Sequence, residues 1–453
     1  MKRVICNLLL ILFISSVAWS KNFYISASIG NDSYTATQAQ NPATPWKTIN
    51  KLNASMSLIN PGDSILFKRG DVFSGKIILT RSGNASAGIV FGAYGTGKPP
   101  VIKGTLPVTG WTLYSSNIWV ANCPQLDSIV TSFFINGIPQ QIGRYPNTDA
   151  PNGGYLNIDS HTGRSAIVCS ALPSSPDFTG AEAVVRLRLW MFNWMKIKSH
   201  QGTSLTFSSG TTYDIENNFG FFIQNHLNTL DKKGEWYYDA KNKKIYLYYP
   251  SDPNSLITEA ATLNTLFEAS GRLFFSIENI EFSGANATII SINKSNNVVL
   301  KNNIISNSGN DGIILTTCAN VSLLNNKILK PNGNAIVIRS GRNITIKANE
   351  IRNAGLLPGM GLYSFNQYSG IFMEGNNLQC YNNIIDSTGY NGIYFLGDSI
   401  NIKNNFISHF CSILDDGGGI YTWNGDNKKH KQRKIEENII INGIGALTGT
   451  NFS

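Results

Sequence analysis

Six asparagines in the last third of the chain, Asn279, Asn303, Asn326, Asn349, Asn383 and Asn405, recur at steps of 22 to 34 residues, and Asn438 continues the series. Most stand before an Ile-containing pair, as in Asn303-Ile304-Ile305 and Asn383-Ile384-Ile385, and a short apolar run follows each. A fixed period in this range marks stacked supersecondary units, each burying its apolar face only against its neighbours. About 22 residues leave room for three short strands and three turns, which is one coil of a parallel β-helix. The long steps, 34 and 33, read as coils carrying extra loops. No 3.6-residue periodicity runs through the repeats, so stacked helices do not fit.

Aligning the strand after each Asn turn places Gly312, Ala335, Gly370, Gly392 and Gly419 at one position. The next position is Ile in every coil: Ile313, Ile336, Ile371, Ile393 and Ile420. Two further on stand Leu315, Ile338, Met373, Phe395 and Thr422. Alternation along a strand sends these two columns to the core and the columns between them outward. The outward columns read Ile314, Val337, Phe372, Tyr394, Tyr421 and Thr316, Arg339, Glu374, Leu396, Trp423. With coils roughly 4.8 Å apart, Phe372, Tyr394 and Tyr421 form an aromatic ladder beside Arg339, Glu374 and Trp423. Aromatic faces with a few charged groups suit a sugar chain; a covered interdomain core is the other reading of the same column.

Asp415-Asp416-Gly417-Gly418-Gly419 enters the Tyr421 strand. Glycines permit close backbone approach, which would bring both acids to the mouth of the aromatic groove. Paired carboxylates are what glycoside hydrolysis requires, one to protonate the leaving oxygen and one to serve as base or nucleophile. A calcium site or a plain Asx turn would use the same residues. Asp416 is the first candidate for a catalytic carboxylate, with Asp415 or Glu374 as its partner and Asp386 as a further one. Arg339, Tyr394, Tyr421 and Trp423 are the candidate substrate-binding residues. No metal ligands are expected. No nucleophile elbow, H-E-x-x-H or phosphate-binding loop occurs, and the five histidines are scattered.

Lys2-Arg3 followed by an apolar run to Trp19 fits a secretory signal peptide over residues 1–20. No later stretch reaches the length of a spanning helix, so a secreted, periplasmic or cell-surface protein is expected. The mature chain keeps Cys123, Cys169, Cys318, Cys380 and Cys411, odd in number and without metal-type spacing, as buried core residues. Net charge is +9, with its densest run from Lys428 to Lys434. That run reads as a solvated loop or a site for an acidic polymer; nucleic acid is not expected.

Residues 21–104 read as an N-terminal cap and the first coils, with Trp46, Ile49, Leu52, Met56 and Ile59 at helical spacing to cover the first open edge. Residues 105–262 lose the period and read as a β-rich insertion. Within it Asn136-Gly137 makes a hairpin turn, Trp236–Tyr249 a second hairpin, and Val185 to Trp190 alternates as a half-exposed strand. Residues 263–453 carry the Asn-turn coils. One strand-like piece follows Asn438 without a capping helix, so the last coil is expected to be open and the chain to lack its C-terminal cap.

The opening from Phe23-Tyr24-Ile25-Ser26 to Thr44-Pro45-Trp46-Lys47-Thr48-Ile49, the turns Pro61-Gly62-Asp63 and Gly92-Ala93-Tyr94-Gly95, and Asp416-Gly417-Gly418-Gly419-Ile420-Tyr421 carry a resemblance. The chain resembles exported bacterial right-handed parallel β-helix proteins of the pectin-lyase-like fold. Arg144-Tyr145-Pro146-Asn147 and Gly234-Glu235-Trp236-Tyr237-Tyr238-Asp239 look like the subset that includes glycoside hydrolases related to β-xylosidases and α-L-fucosidases. The resemblance implies an all-β solenoid, a monomer acting on polysaccharide or oligosaccharide, and no cofactor. The same fold hosts polysaccharide lyases, which often use Ca²⁺, and non-catalytic carbohydrate-binding proteins; both remain open from sequence.

Overall fold

The computed structural model describes residues 20–127, 129–361, 366–425 and 429–451. The expected signal segment, apart from Ser20, lies outside the described residues, as do Lys428 of the basic run and the final Phe452-Ser453. Most of the chain is a parallel β-helix. Ile313–Thr316, Ala319–Leu324 and Lys327–Leu329 make one coil. Each strand pairs in parallel with its counterpart one coil on, as in Ile313↔Ile336, Val321↔Ile344 and Ile328↔Ile351. The stack forms a 15-stranded and a 9-stranded sheet. The larger one wraps two faces of the helix, because Ile336–Lys347, Ile371–Tyr381 and Ile393–Lys403 run through the corner between them.

The inward columns are where alternation put them as far as the Phe395 coil; in the next strand Ile420 is half-buried and Thr422 exposed. Ile313, Ile336, Ile371 and Ile393 are fully buried beside Leu315, Ile338, Met373 and Phe395. The small-residue column ahead of them has a steric reason. A Cβ on Gly370 would lie 2.7 Å from Gly392 O, and one on Gly392 would lie 2.5 Å from Gly419 O. All five cysteines of the described chain are buried and unbridged.

The turn asparagines form a buried amide ladder. Asn303 donates from Nδ2 to Asn326 Oδ1 (3.1 Å), Asn326 to Asn349 (3.0 Å), Asn349 to Asn383 (3.0 Å), Asn383 to Asn405 (2.9 Å) and Asn405 to Asn438 (2.9 Å). Each Nδ2 also donates to a core-strand carbonyl of the preceding coil, and each Oδ1 accepts a backbone N–H, as Asn326 does from Asn303. Asn279 does not belong to it. The ladder position in that coil is Ile280, whose N–H donates to Asn303 Oδ1. Asn279 starts the adjacent column with Asn302, Asn325, Ala348, Asn382 and Asn404, all at positive φ between 54° and 59°. Asparagine suits both columns, one for its amide and one for its tolerance of left-handed backbone.

At the N-terminus Thr48 caps the helix Ile49–Ala54, whose Ile49 and Leu52 are buried. Asn53 bonds Lys76 O (2.7 Å) and accepts from Ile78 N (3.1 Å), so it occupies backbone groups along Ile77–Leu79, the edge strand of the large sheet. At the other end Ile435 and Ile440 continue core columns and are exposed.

Thr105–Pro107 and Thr258–Ala261 pair antiparallel, and three antiparallel sheets form from and between them. Both hairpins occur, with Asn136 and Gly137 at positive φ in the first turn. The strand read as half-exposed is instead central. Glu182–Arg188 lies between Met191–Gln201 and Gly220–Gln224 and is buried from Ala183 to Leu187, with half-buried ends. Arg186, which alternation alone would send to water, is fully buried with three backbone carbonyls as acceptors.

Candidate active site

The outward aromatic column divides. Val337 and Phe372 are buried, and Arg339 lies over the Phe372 ring at 5.3 Å. Further along, Tyr394, Tyr421 and Trp423 line a cleft of about 370 Å³ together with Asp416, Tyr390, Asn366 and two aromatics of the insertion, Trp190 and Tyr213. The rings are not a flat stack. Phe372–Tyr394 and Tyr394–Tyr421 meet edge to face at 5.3 and 5.1 Å, and so do Trp190 and Tyr213 at 5.5 Å. Edge-to-face packing is the quadrupole-preferred arrangement. It makes an angular wall rather than the ladder of parallel faces read from the sequence.

Asp416 reaches this cleft through local backbone geometry. Its φ is +59°, and its carbonyl accepts from Tyr390 Oη at 2.9 Å. A Cβ on Gly417 would lie 2.5 Å from the Tyr390 ring, so only glycine allows that approach. Asn391 Oδ1 then takes the Gly418 N–H at 2.8 Å. Partial burial, and next the Asp415 charge, hold the exposed Asp416 carboxyl above the ordinary carboxylate range.

Trp190 is placed by the insertion hairpin. Leu189 O, at its turn, accepts from Asp415 N (2.8 Å) and from Arg186 Nη2 (2.7 Å). Arg186 also donates to Thr448 O (2.6 Å) and Ala446 O (2.7 Å). One buried guanidinium thus ties the turn to the chain that follows the last coil. Tyr213 is set by the adjacent loop, where Thr212 N donates to Asn193 Oδ1 at 2.8 Å.

Of the residues expected from sequence, the cleft gathers Asp416, Tyr394, Tyr421 and Trp423. Arg339, Glu374 and Asp415 are not among its lining residues. Glu374 is close enough to Tyr394 to contribute to its phenol being pushed up to about 12, after burial and Tyr421. Asp386 belongs elsewhere: on the 9-stranded sheet it bonds Ser408, His409 and Arg352 at 2.7, 2.8 and 3.1 Å. Trp190, Tyr213, Tyr390 and Asn366 were not anticipated. Trp190 ends an alternating strand and Tyr390 precedes Asn391-Gly392, yet no period in the sequence joins them. Among the described residues no group of three or more His, Cys, Asp or Glu is arranged to hold a metal, and no helix is long and apolar enough to cross a membrane.

Residues 264–407 match a family described as a right handed beta helix region, and residues 206–251 match one described as a GH141 insertion domain. The second match contains Tyr213. A lacto-N-biosidase of Bifidobacterium longum subsp. longum is 22% identical over 330 residues, 65% of this chain and 19% of that protein. The chain therefore spans about a fifth of that relative. A solved glycoside hydrolase superposes with a TM-score of 0.75 at 15% identity, covering 92% of this chain and 87% of that one. That likeness establishes the fold.

Proposed function

We propose that the protein is an exported glycoside hydrolase acting on oligosaccharide or polysaccharide chains, with its reaction centre in the Asp416 cleft. The observation that carries this reading is the meeting of one carboxyl of raised pKa with aromatic walls from both the β-helix and the insertion. The relatives are named as enzymes that cleave glycosidic bonds, which supports the class and leaves the sugar open.

In this reading Tyr394, Tyr421, Trp190 and Trp423 cover the apolar faces of the sugar rings. Asp416, in its protonated form, gives its proton to the glycosidic oxygen as the C–O bond breaks. Water completes the reaction at the anomeric carbon, and its proton passes to a second carboxylate. Glu374, which lies near Tyr394, is proposed for that role. Asp415 is assigned to setting the Asp416 pKa, and Arg339 to supporting the Phe372 wall.

Product release from a panel of neutral and acidic glycans, parent against Asp416→Asn, tests the reading. We expect reducing-sugar products from the parent and a loss of at least two orders of magnitude in the variant, the scale of lost general-acid catalysis, with sugar binding retained. Unsaturated products absorbing in the ultraviolet would identify a lyase instead. Binding with no product from either protein would identify a non-catalytic carbohydrate-binding module.

A further inference from the structure

A second and larger cavity, about 580 Å³, opens between the insertion and the loop that follows Ala354. Its aromatic wall is Trp194 and Tyr237; its polar wall includes Glu182, Lys196, Gln224 and Asn225. The polar groups are held in place. Gln224, 2% exposed, donates from Nε2 to Gly359 O (2.9 Å) and to Glu182 Oε2 (3.2 Å). Asn225 Nδ2 donates to Glu182 Oε1 at 3.0 Å, and Trp194 Nε1 to Gly359 O at 2.8 Å. Gly359 sits at φ +81°, where a Cβ would come within 2.2 Å of Gln224 Oε1. That Oε1 is buried and has no donor among the described residues. It is packed against the Gly359 backbone and closed to the cavity.

The two cavities share their structural supports. Trp190, in the hairpin turn, and Phe192 and Trp194, in the strand that follows it, are alternate residues; Phe192 belongs to one apolar cluster against which both tryptophans pack. Phe192 is buried with its ring 6.5 Å from that of Tyr368. Trp190 enters the Asp416 cleft, and Trp194 enters the larger cavity. Four residues separate the two tryptophans, at most ~14 Å along the chain. One loop also serves both sites: it gives Met360 and Gly361 to the larger cavity and Asn366 to the cleft, and Tyr368 Oη donates to Met360 O at 2.8 Å.

We propose that the larger cavity is a second sugar-binding subsite. It holds a distal residue of the same linear oligosaccharide whose reacting bond lies in the Asp416 cleft. Trp194 and Tyr237 cover the ring, and Glu182 and Asn225 meet its hydroxyls. The substrate class is therefore a chain long enough to pass the Phe192–Tyr368 contact, rather than a disaccharide. This inference rests on the carbohydrate reading of the cleft.

Calorimetric titration of the Asp416→Asn protein with xylo-, galacto- and uronate-based oligosaccharides, from monosaccharide upward, tests it. Affinity should rise with chain length for at least one series. Trp194→Ala, added to that protein, should weaken the long chains about tenfold, or ~1.4 kcal/mol, and leave the shortest binders unchanged. Trp194→Phe keeps a ring but loses the bond to Gly359, so recovery in that variant assigns the effect to the sugar contact. No binding of any chain, affinity independent of length, or equal weakening of short and long chains overturns the subsite. Product release by the parent is scored separately. Length-dependent binding without product would sink the hydrolase and keep the subsite, whereas product without length dependence would sink the subsite alone.

Discussion

Asp415 and Asp416 are neighbours in sequence with different surroundings, and the proposed mechanism gives them different work. Asp415 has its N–H bonded to the insertion turn at Leu189, and its charge contributes to the environment of the buried Arg186. Asp416 faces the cleft, and the Asp415 charge helps hold its proton on. A like charge disfavours ionisation, so removing it lowers the pKa of the remaining acid. For a general acid that must be protonated, the alkaline limb of the kcat/KM profile follows that pKa. Asp415→Asn should therefore move this limb to lower pH while activity on the acid side persists. A profile that keeps its alkaline limb would remove Asp415 from this role. A profile that loses all activity at every pH would make Asp415 itself a reacting group.

The coils draw their coherence from columns in which each member satisfies its neighbour, so a single deletion is felt in two coils. Asn326 accepts from both the backbone and side chain of Asn303 and donates to Leu300 O and Asn349 Oδ1. Asn326→Ala leaves the Asn303 N–H without its acceptor and removes the side-chain donor from Leu300 O, while Asn349 Oδ1 keeps the Asn326 N–H and Asn303 Nδ2 keeps Ile277 O. At ~1–3 kcal/mol for a group left unsatisfied, a stability loss of about 2 kcal/mol is expected in urea unfolding. The adjacent column gives the opposite sign. Ala348 occupies the left-handed region at φ +55° among asparagines. Ala348→Asn should stabilise by up to ~1 kcal/mol, since that conformation costs most residues ~1–2 kcal/mol and Asn tolerates it better. These columns also explain what the sequence disclosed. The fold was readable because most coils repeat the same demands: an inward Ile, a small residue where coils touch, an amide at the turn. Asn279 was misassigned because two neighbouring positions both favour asparagine, and only its 24-residue step hinted at the slip. Trp190 and Tyr213 were invisible for a different reason. They reach the cleft through the packing of a non-repeating sheet on the solenoid, and tertiary packing of that kind leaves no period. Arg186 was misread because alternation locates a side chain's face but not whether another layer covers that face.

In the proposed mechanism the insertion and the coils work together while the hairpin turn stays over the Asp416 cleft, and Arg186 bonds that turn to the chain after the last coil. Its guanidinium spans Leu189 O on one side and Ala446 O and Thr448 O on the other. Around it, Gly220 N donates to Gly449 O at 2.8 Å and Gly449 N to Asn152 Oδ1 at 2.9 Å. The segment after the last coil is thereby laid back onto the insertion. A lysine places one compact ammonium where a planar fork reaches three carbonyls. Hydrogen bonds to a charged donor contribute ~1.5–3 kcal/mol each, so Arg186→Lys should cost about 3 kcal/mol through the bonds it cannot remake. The coils lie outside this contact, and the loss should therefore be local. Limited proteolysis should cut the variant earlier at residues 443–451, with the solenoid resistant, while KM rises because Trp190 no longer holds its wall of the cleft. Unchanged cleavage there together with unchanged KM would mean that the hairpin is seated by the apolar cluster of Phe192, Tyr368 and Tyr390 alone. Global unfolding instead of local release would mean that the insertion and the coils form one cooperative unit, with the cleft dependent on the stability of both.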